Sequence, residues 1–211
     1  MKAIFVPPCE WKKILEQPLP KEGVTAKAVV PRYFDENGKK ITKFVLVHDP
    51  IKHFTIIDSK TGEVEACQRK EGWGNPGGGV KCVDGVLGEG LLRELSEELN
   101  IPKNRISIQD IIEITRKRNG HLDITYVVGT DPHFKFQSKV SSDPTGNVIE
   151  LAIIDPFTDL VEIVIDGSPE KTYRGLPVFR STLRRIHKFL AMQAQESKEV
   201  KRTSMLSLVA A

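Results

Sequence analysis

The order of strand-like and helix-like segments along this chain predicts an α+β fold or a three-layer arrangement of helices and sheet. Strand-like segments precede a glycine-rich loop and an acidic helix, and more strand-like segments and a terminal helix follow. Alternating apolar positions indicate strands, whereas apolar residues three and four positions apart indicate helices. With 211 residues and 39% apolar residues, the chain suits one large domain or one domain with appendages.

The part of the chain before the glycine-rich loop predicts a short helix and two hairpins. Residues 1–23 are expected to form an N-terminal extension, in which proline and glycine end a helix spanning Cys9 to Gln17. Turn residues then separate two pairs of β-rich segments, at Asp35-Glu36-Asn37-Gly38 and at Ser59-Lys60-Thr61-Gly62. The predicted strands are Ala26 to Phe34, Ile41 to His48, Phe54 to Asp58 and Glu63 to Gln68.

The part after the acidic helix predicts a third hairpin, a loop, a short strand and a long helix. Asn119-Gly120 is a strong hairpin turn between Ile106 to Arg118 and Leu122 to Gly129. Periodicity leaves Leu160 to Ile165 open between a strand and a helical turn. The remaining predictions are a loop at Pro132 to Gly146, a buried strand at Val148 to Ile154, a helix from Pro177 to about Ser197 whose arginines face solvent, and a tail at 198–211.

Composition excludes several classes of protein. The net charge of +3 is too small to indicate nucleic-acid binding by itself. Three scattered cysteines without CxxC spacing argue against a disulfide framework and a structural zinc site, and fit a reducing compartment. Because no apolar run is long enough to span a bilayer, we expect a cytoplasmic protein without a membrane partner.

The segment from Gly77 to Ile101 carries the chemistry. On a helix, Glu94, Glu97 and Glu98 occupy positions i, i+3 and i+4 and therefore share one face. Leucines at positions 91, 92, 95 and 99 occupy an adjoining face that can pack on a core. Three neighbouring carboxylates repel one another, and a hard divalent cation with oxygen ligands relieves that repulsion.

This segment resembles the Nudix box: Gly, five residues, Glu, seven residues, then Arg-Glu, an aliphatic residue, any residue, Glu-Glu, any residue, Gly and an aliphatic residue. The match from Arg93 to Glu98 is complete, and the aliphatic positions hold Leu95 and Ile101. Asn100 replaces the last glycine, which is a mild change because asparagine also adopts the left-handed conformation. Counting back from Arg93 with the strict spacing puts Gly85 at the position of the first glutamate. Counting forward from Gly78 puts Asp84 at that position, and we prefer this second alignment.

The resemblance implies the Nudix fold, an α/β/α sandwich with a mixed β-sheet between helices, over residues 24–197. It also implies hydrolysis of the pyrophosphate bond in a nucleoside diphosphate linked to another moiety. Mg²⁺ or Mn²⁺ is the expected cofactor, held by the three glutamates. Glu97 and Glu98 are expected to act in catalysis, with Arg93 orienting the carboxylates through its guanidinium.

The other candidate residues each have an ordinary structural alternative. Asp84 is either a replacement metal ligand or a turn residue, and Glu150 is either a further ligand or base, or a surface residue. Trp73 either stacks on a base or packs in the core. Gly77, Gly78 and Gly79 permit close approach to a ligand, although turns use glycine widely. Asn75, just before them, stands where the family usually has an apolar residue.

We therefore expect a Nudix hydrolase, a metal-dependent pyrophosphatase with a small-molecule nucleotide as its substrate. The alternative is a non-catalytic Nudix module that binds a nucleotide or RNA as a sensor or adaptor, favoured by the altered first-glutamate position. A structural interaction domain has only the terminal extensions in its favour. Nucleic acid is not the expected partner, a homodimer is left open, and the box does not identify the nucleoside or the leaving group.

Overall fold

A computed structural model describes residues 3–4, 11–18, 23–57, 62, 64–80, 85–117, 121–136, 150–165 and 167–209 of the chain. The helices are α1 (Trp11–Leu15), α2 (Leu87–Leu99) and α3 (Arg180–Val209), with a 3-10 turn at Lys103–Arg105. The strands are β1 (Ala3–Ile4), β2 (Val24–Val29), β3 (Pro31–Glu36), β4 (Lys39–Asp49), β5 (Lys52–Ile57), β6 (Val64–Arg69), β7 (Gly72–Gly74), β8 (Gly79–Val80), β9 (Ile106–Arg116), β10 (Leu122–Thr130), β11 (Glu150–Ile154), β12 (Val161–Ile165), β13 (Ser168–Tyr173) and β14 (Leu176–Pro177).

The main sheet is mixed. Its order is β1-β9-β10-β2-β8, and β10 runs parallel to β2 while the other neighbours are antiparallel. A second sheet has the order β11-β4-β3, with β7 also paired to β4. The backbone N–H of Val45 donates to the carbonyl of Val30 at 3.0 Å, where the chain passes from β2 into β3.

Helices cover both faces of the main sheet. Successive residues of three strands fall into opposite apolar clusters: Ala28 and Val29, Tyr126 and Val127, Ile111 and Ile112. The first member of each pair packs in the cluster that contains the leucines of α2, and the second packs in the cluster that contains Ile186 and Phe189 of α3. This alternation follows from the two-residue period of a strand. The prediction of an α+β fold with a mixed sheet between helices is confirmed.

The structure differs from the predicted elements in four places. The valine-rich segment at 26–34 is two strands in two sheets, because strand propensity does not show where the chain changes sheet. Residues 161–165 form a strand, which settles the open alternative, and it pairs with the unpredicted β13. Helix α3 begins at Arg180 and continues to Val209, so its predicted end near residue 197 was wrong. The short strands β1, β7, β8 and β14 were also not predicted.

Some predictions fall on residues outside those that the structure describes: the turns at 59–61 and 119–120, Asp84, and most of the loop at 132–146. Among the described helices, none is long and apolar enough to cross a membrane.

Candidate functional site

Helix α2 is anchored by leucines. Leu87, Leu91, Leu95 and Leu99 recur every four residues and are between 0% and 4% exposed. The helix ends at Asn100, which adopts the left-handed conformation with φ 50° and ψ 44°. Asparagine therefore performs the helix-ending role that the family pattern gives to glycine, as expected. This packing fixes the adjoining glutamate face relative to the sheet.

Arg93 holds two of the three glutamates. One guanidinium nitrogen donates to Glu97 Oε2 at 2.8 Å, and the other donates to Glu94 Oε1 at 2.6 Å. The planar guanidinium presents its donors in a fixed fork, so it sets the positions of both carboxylates together. These contacts agree with an orienting role for Arg93, which stays a prediction.

Glu98 lies deeper than its two neighbours and is 8% exposed. Its Oε2 accepts a hydrogen bond from the backbone N–H of Gly77. Burial raises the pKa of Glu98; nearby Lys27 and the Gly77 N–H act to lower it, and Asp49 and Glu94 act to raise it. Glu98 is therefore a desolvated carboxylate whose protonation depends on the charges placed beside it.

The glycine-rich loop is fastened to strand β2. Ala28 N–H donates to Pro76 O at 2.8 Å, and Ala26 N–H donates to Gly78 O at 2.9 Å. Gly77 has φ of +116°, and a side chain there would collide with the carbonyl oxygen of Ala26. A Cβ at Gly78 would collide with the Glu94 carboxylate, whereas Gly79 is exposed with open space around it. Glycine at 77 is thus required for the loop to lie against β2, whereas a side chain at 78 would displace the Glu94 carboxylate.

Lys27 joins this loop from the strand side. Its ammonium donates to the carbonyl oxygen of Gly77, whose N–H holds Glu98. Sequence reasoning missed Lys27. The available signal was the alternation of polar and apolar residues in Val24-Thr25-Ala26-Lys27-Ala28, which puts Thr25 and Lys27 on one face of β2.

Gly85 has φ of +74° and open space around its Cα. A glutamate at this position would have to adopt a conformation that side chains disfavour. This geometry supports the interpretation of Gly85 as a turn residue and not as a lost metal ligand. Asp84, the preferred replacement ligand, lies outside the described residues.

Trp73 belongs to the core. It is 1% exposed, and its indole N–H donates to Tyr173 O at 3.0 Å. The Tyr173 ring packs edge-on against it at 5.3 Å, and the His48 ring lies on it at 5.2 Å. No ring face is left for a base, which corrects the expectation that Trp73 binds substrate and supports the core-packing alternative.

Glu150 begins strand β11 and forms an ion pair with Arg174. In the register of the second sheet it stands opposite His48, and not beside the glutamates of α2. Its described partner is thus a cation on the turn between β13 and β14. The ordinary structural alternative for Glu150 fits this position.

The donor set on α2 has the chemistry of a hard-cation site, since all its ligands are carboxylate oxygens. In the described part of the chain, no three His, Cys, Asp or Glu side chains stand together in an arrangement that holds a metal ion. Glu94 and Glu97 are bonded to Arg93, so an ion that binds them competes with the guanidinium. The ligand role of the three glutamates stays a prediction.

A polar cavity lies on the other side of the loop, under α3. Arg185 turns inward and donates from Nε to Thr125 Oγ1 at 3.1 Å, and burial lowers the pKa of its guanidinium. This corrects the expectation that the arginines of the terminal helix all face solvent; Arg180 and Arg184 are exposed. The cavity has a volume of about 220 Å³ and is lined mainly by polar residues from β2, β10, α3 and the loop.

No protein-family model and no curated protein matches this chain. Solved structures to which this chain is similar include a MutT/nudix family protein from Enterococcus faecalis, at 14% identity and a TM-score of 0.47, covering 85% of this chain and 65% of that one. Another is a mutT/nudix family protein from Listeria innocua, at 14% identity and a TM-score of 0.47, covering 82% and 95%. A third is the NUDIX domain of Shewanella oneidensis NrtR complexed with ADP ribose, at 16% identity and a TM-score of 0.46, covering 86% and 92%. All three are named as Nudix proteins.

Proposed function

We propose that this chain is a divalent-metal-dependent pyrophosphohydrolase of the Nudix type, acting on a nucleoside diphosphate linked to another moiety. The observation that carries the proposal is the arrangement around α2. Arg93 holds Glu94 and Glu97 from one side, and the Gly77 N–H holds the buried Glu98 from the other. The Arg-Glu-x-x-Glu-Glu order is thus matched by contacts that fix each carboxylate.

The residues divide the work as follows. Glu94, Glu97 and Glu98 would hold the cation, and Arg93 fixes the positions of the first two carboxylates. Mg²⁺ or Mn²⁺, when bound, neutralises phosphoryl charge and makes the attacking water more acidic. Glu97 or Glu98 accepts a proton from the attacking water while the water oxygen forms a bond to one phosphorus. The bond from that phosphorus to the bridging oxygen breaks, and the second phosphate leaves with the bridging oxygen.

A substrate panel tests this proposal. NDP-sugars, ADP-ribose, dinucleoside polyphosphates, NADH and oxidised dNTPs should be assayed with Mg²⁺ and with Mn²⁺. At least one substrate should be cleaved, EDTA should abolish the cleavage, and excess metal should restore it. Full activity in a metal-stripped sample would contradict the mechanism.

A second candidate function is a non-catalytic module that binds a nucleotide. One observation favours it: protein groups already contact each glutamate, since Arg93 bonds Glu94 and Glu97, and Glu98 has the Gly77 N–H and nearby Lys27. A carboxylate cluster balanced in this way does not need a cation to be stable. Nucleotide binding without turnover of any panel member, in either metal, would support this candidate over the hydrolase.

A further inference from the structure

The cavity under α3 contains a polar side chain that the proposed hydrolysis does not use. Asn75 is 2% exposed and lines the cavity. Its amide nitrogen and amide oxygen both have no hydrogen-bond partner among the described residues. A buried amide without partners costs stability, so native proteins rarely retain one without a reason.

The backbone around Asn75 is fixed. Its N–H donates to the hydroxyl of Thr182 on α3 at 3.2 Å, and two residues later Gly77 is bonded to Glu98 and Lys27. The asparagine is thus held between α3 and the glutamate site while its amide is left unused. A group fixed in place with free donor and acceptor atoms is suited to recognise a ligand.

We propose that the Asn75 amide recognises the hydrogen-bonding edge of a nucleobase bound in this cavity. An amide presents one donor beside one acceptor, and the complementary partner is a planar ring that presents an acceptor beside a donor, as nucleobases do. Asparagine pairs in this way with the adenine edge in protein–DNA complexes. The inference rests on the proposed function only for the choice of a nucleotide as the ligand class.

The size of the cavity agrees with one base. Its volume of about 220 Å³ is below the roughly 300–1,000 Å³ typical of sites that enclose a whole drug-sized ligand. A cavity of this volume has room for a ring system but not for a whole nucleotide. Lys27 lines the cavity and also bonds the carbonyl of Gly77, so a cation stands between the base position and the glutamates.

The charged groups around the cavity are of both signs. Its lining includes the cations Lys27, Lys117 and Arg185 and the anions Asp49 and Asp123. Phosphate alone therefore meets carboxylates as well as cations, whereas a neutral base meets hydrogen-bonding groups. This mixture favours recognition of the base over recognition of an isolated phosphate.

Calorimetric titration in EDTA tests the proposal without metal or turnover. The probes are the 5′-monophosphates of adenosine, guanosine, cytidine and uridine, with ribose 5-phosphate as the probe that lacks a base. At least one nucleotide should bind the wild type, and ribose 5-phosphate should bind at least about tenfold more weakly. Equal binding of ribose 5-phosphate, or no binding of any nucleotide, overturns the proposal.

Substitutions at Asn75 test whether its amide is responsible for nucleotide binding. Asn75→Leu should weaken the best nucleotide at least about tenfold, and Asn104→Leu, the same change at an exposed asparagine away from the cavity, should not. If Asn75→Leu does not fold, Asn75→Ala removes the amide without adding volume or charge, and it should show the same weakening. Unchanged affinity in the folded variant overturns the proposal. Because no step needs metal, this result is separable from failure of the proposed hydrolysis.

Discussion

Helices α2 and α3 cover opposite faces of one sheet, and the two interfaces are closed by different kinds of residue. Beneath α2 the contact is made by leucines that exclude water, and the charged groups lie along the rim of the helix. Beneath the first turns of α3, Thr182 and Arg185 face Thr25 and Thr125, and a polar cavity remains. On the same helix, Leu183 packs partly and Ile186 and Phe189 pack fully on an apolar cluster.

The difference separates two tasks in the proposed enzyme. A sealed helix holds like charges in fixed positions, as bond cleavage requires. A face that retains polar groups and space can recognise a ligand. The loop at 75–78 connects the two, because Asn75 lines the cavity and Gly77 holds Glu98.

The largest expected effect tests how much the buried leucines beneath α2 contribute to stability. Leu95 is fully buried, so Leu95→Ala should lower the free energy of unfolding by roughly 2–5 kcal/mol. Leu183 on α3 is only partly buried, and Leu183→Ala should cost less than about 2 kcal/mol. Urea denaturation of both variants measures the difference. Equal losses would show that the two interfaces are closed alike.

The next effect tests the chemistry assigned to α2. Glu98→Gln keeps the size of the side chain but removes the charge, and turnover should fall at least about a hundredfold, about 2.7 kcal/mol of transition-state stabilisation. Glu97→Gln should behave similarly. Glu89→Gln is the matched control, since Glu89 is exposed on the same helix outside the Arg93 contacts. Near-wild-type turnover in both Glu97→Gln and Glu98→Gln would contradict the catalytic role assigned to these glutamates.

The raised pKa of Glu98 gives a check that a loss of turnover in Glu98→Gln is not caused by unfolding. Burial raises this pKa above its unfolded value, so the folded state binds more protons and stability falls as pH rises through the window between the two values. In metal-free buffer near neutral pH, Glu98→Gln should therefore unfold at the same temperature as the wild type or higher. In thermal melts at pH 4 and pH 7.5, any rise in the unfolding temperature of Glu98→Gln over the wild type should be seen only at pH 7.5.

A smaller effect tests how Arg93 works. Arg93→Lys keeps the charge but loses the fork that bonds Glu94 and Glu97 together, and turnover should fall roughly tenfold, about 1.4 kcal/mol. Arg105→Lys, at an exposed ion pair with Asp131, is the control and should leave turnover unchanged. If lysine supports full activity at position 93, charge alone is sufficient.

The smallest effect concerns the loop before α2. Gly85→Glu should cost about 1 kcal/mol or more of stability because Gly85 has a positive φ, and it should bring no gain in rate. Gly79→Glu, where the backbone is not left-handed, should change stability by less than about 0.5 kcal/mol. By the preferred alignment, Asp84→Ala lowers activity and Asp84→Glu preserves it. A faster Gly85→Glu enzyme with a silent Asp84→Ala would reverse the alignment.

Whether the sequence predicted a feature depends on how far apart along the chain the contacting residues lie. The glutamate face followed from spacing within one helix, and the role of Arg93 and the helix end at Asn100 were implied by the resemblance to the Nudix box. The contact of Asn75 with Thr182 joins residues 107 positions apart, and that of Lys27 with Gly77 joins residues 50 apart. Local periodicity contains no information on such pairs, which is why the cavity under α3 was not predicted.

The same limit explains the errors in individual elements. Periodicity identified the apolar stripe of α3 but could not show that Arg185 meets Thr125 on the sheet. It identified the valine-rich strand but not the change of sheet after Val30. The aromatic character of Trp73 suited both core and ligand, and only its contacts with His48 and Tyr173 decided between them.

Direct binding of Mn²⁺ tests the central claim, that the glutamates of α2 form a divalent-cation site. Electron paramagnetic resonance of Mn²⁺ titrated with metal-free protein measures the bound fraction without any substrate. Wild type and Glu89→Gln should bind Mn²⁺ with the same affinity, and Glu98→Gln should bind at least about tenfold more weakly. No binding by the wild type, or equal binding by Glu98→Gln, would contradict the claim and favour a nucleotide-binding module without catalysis.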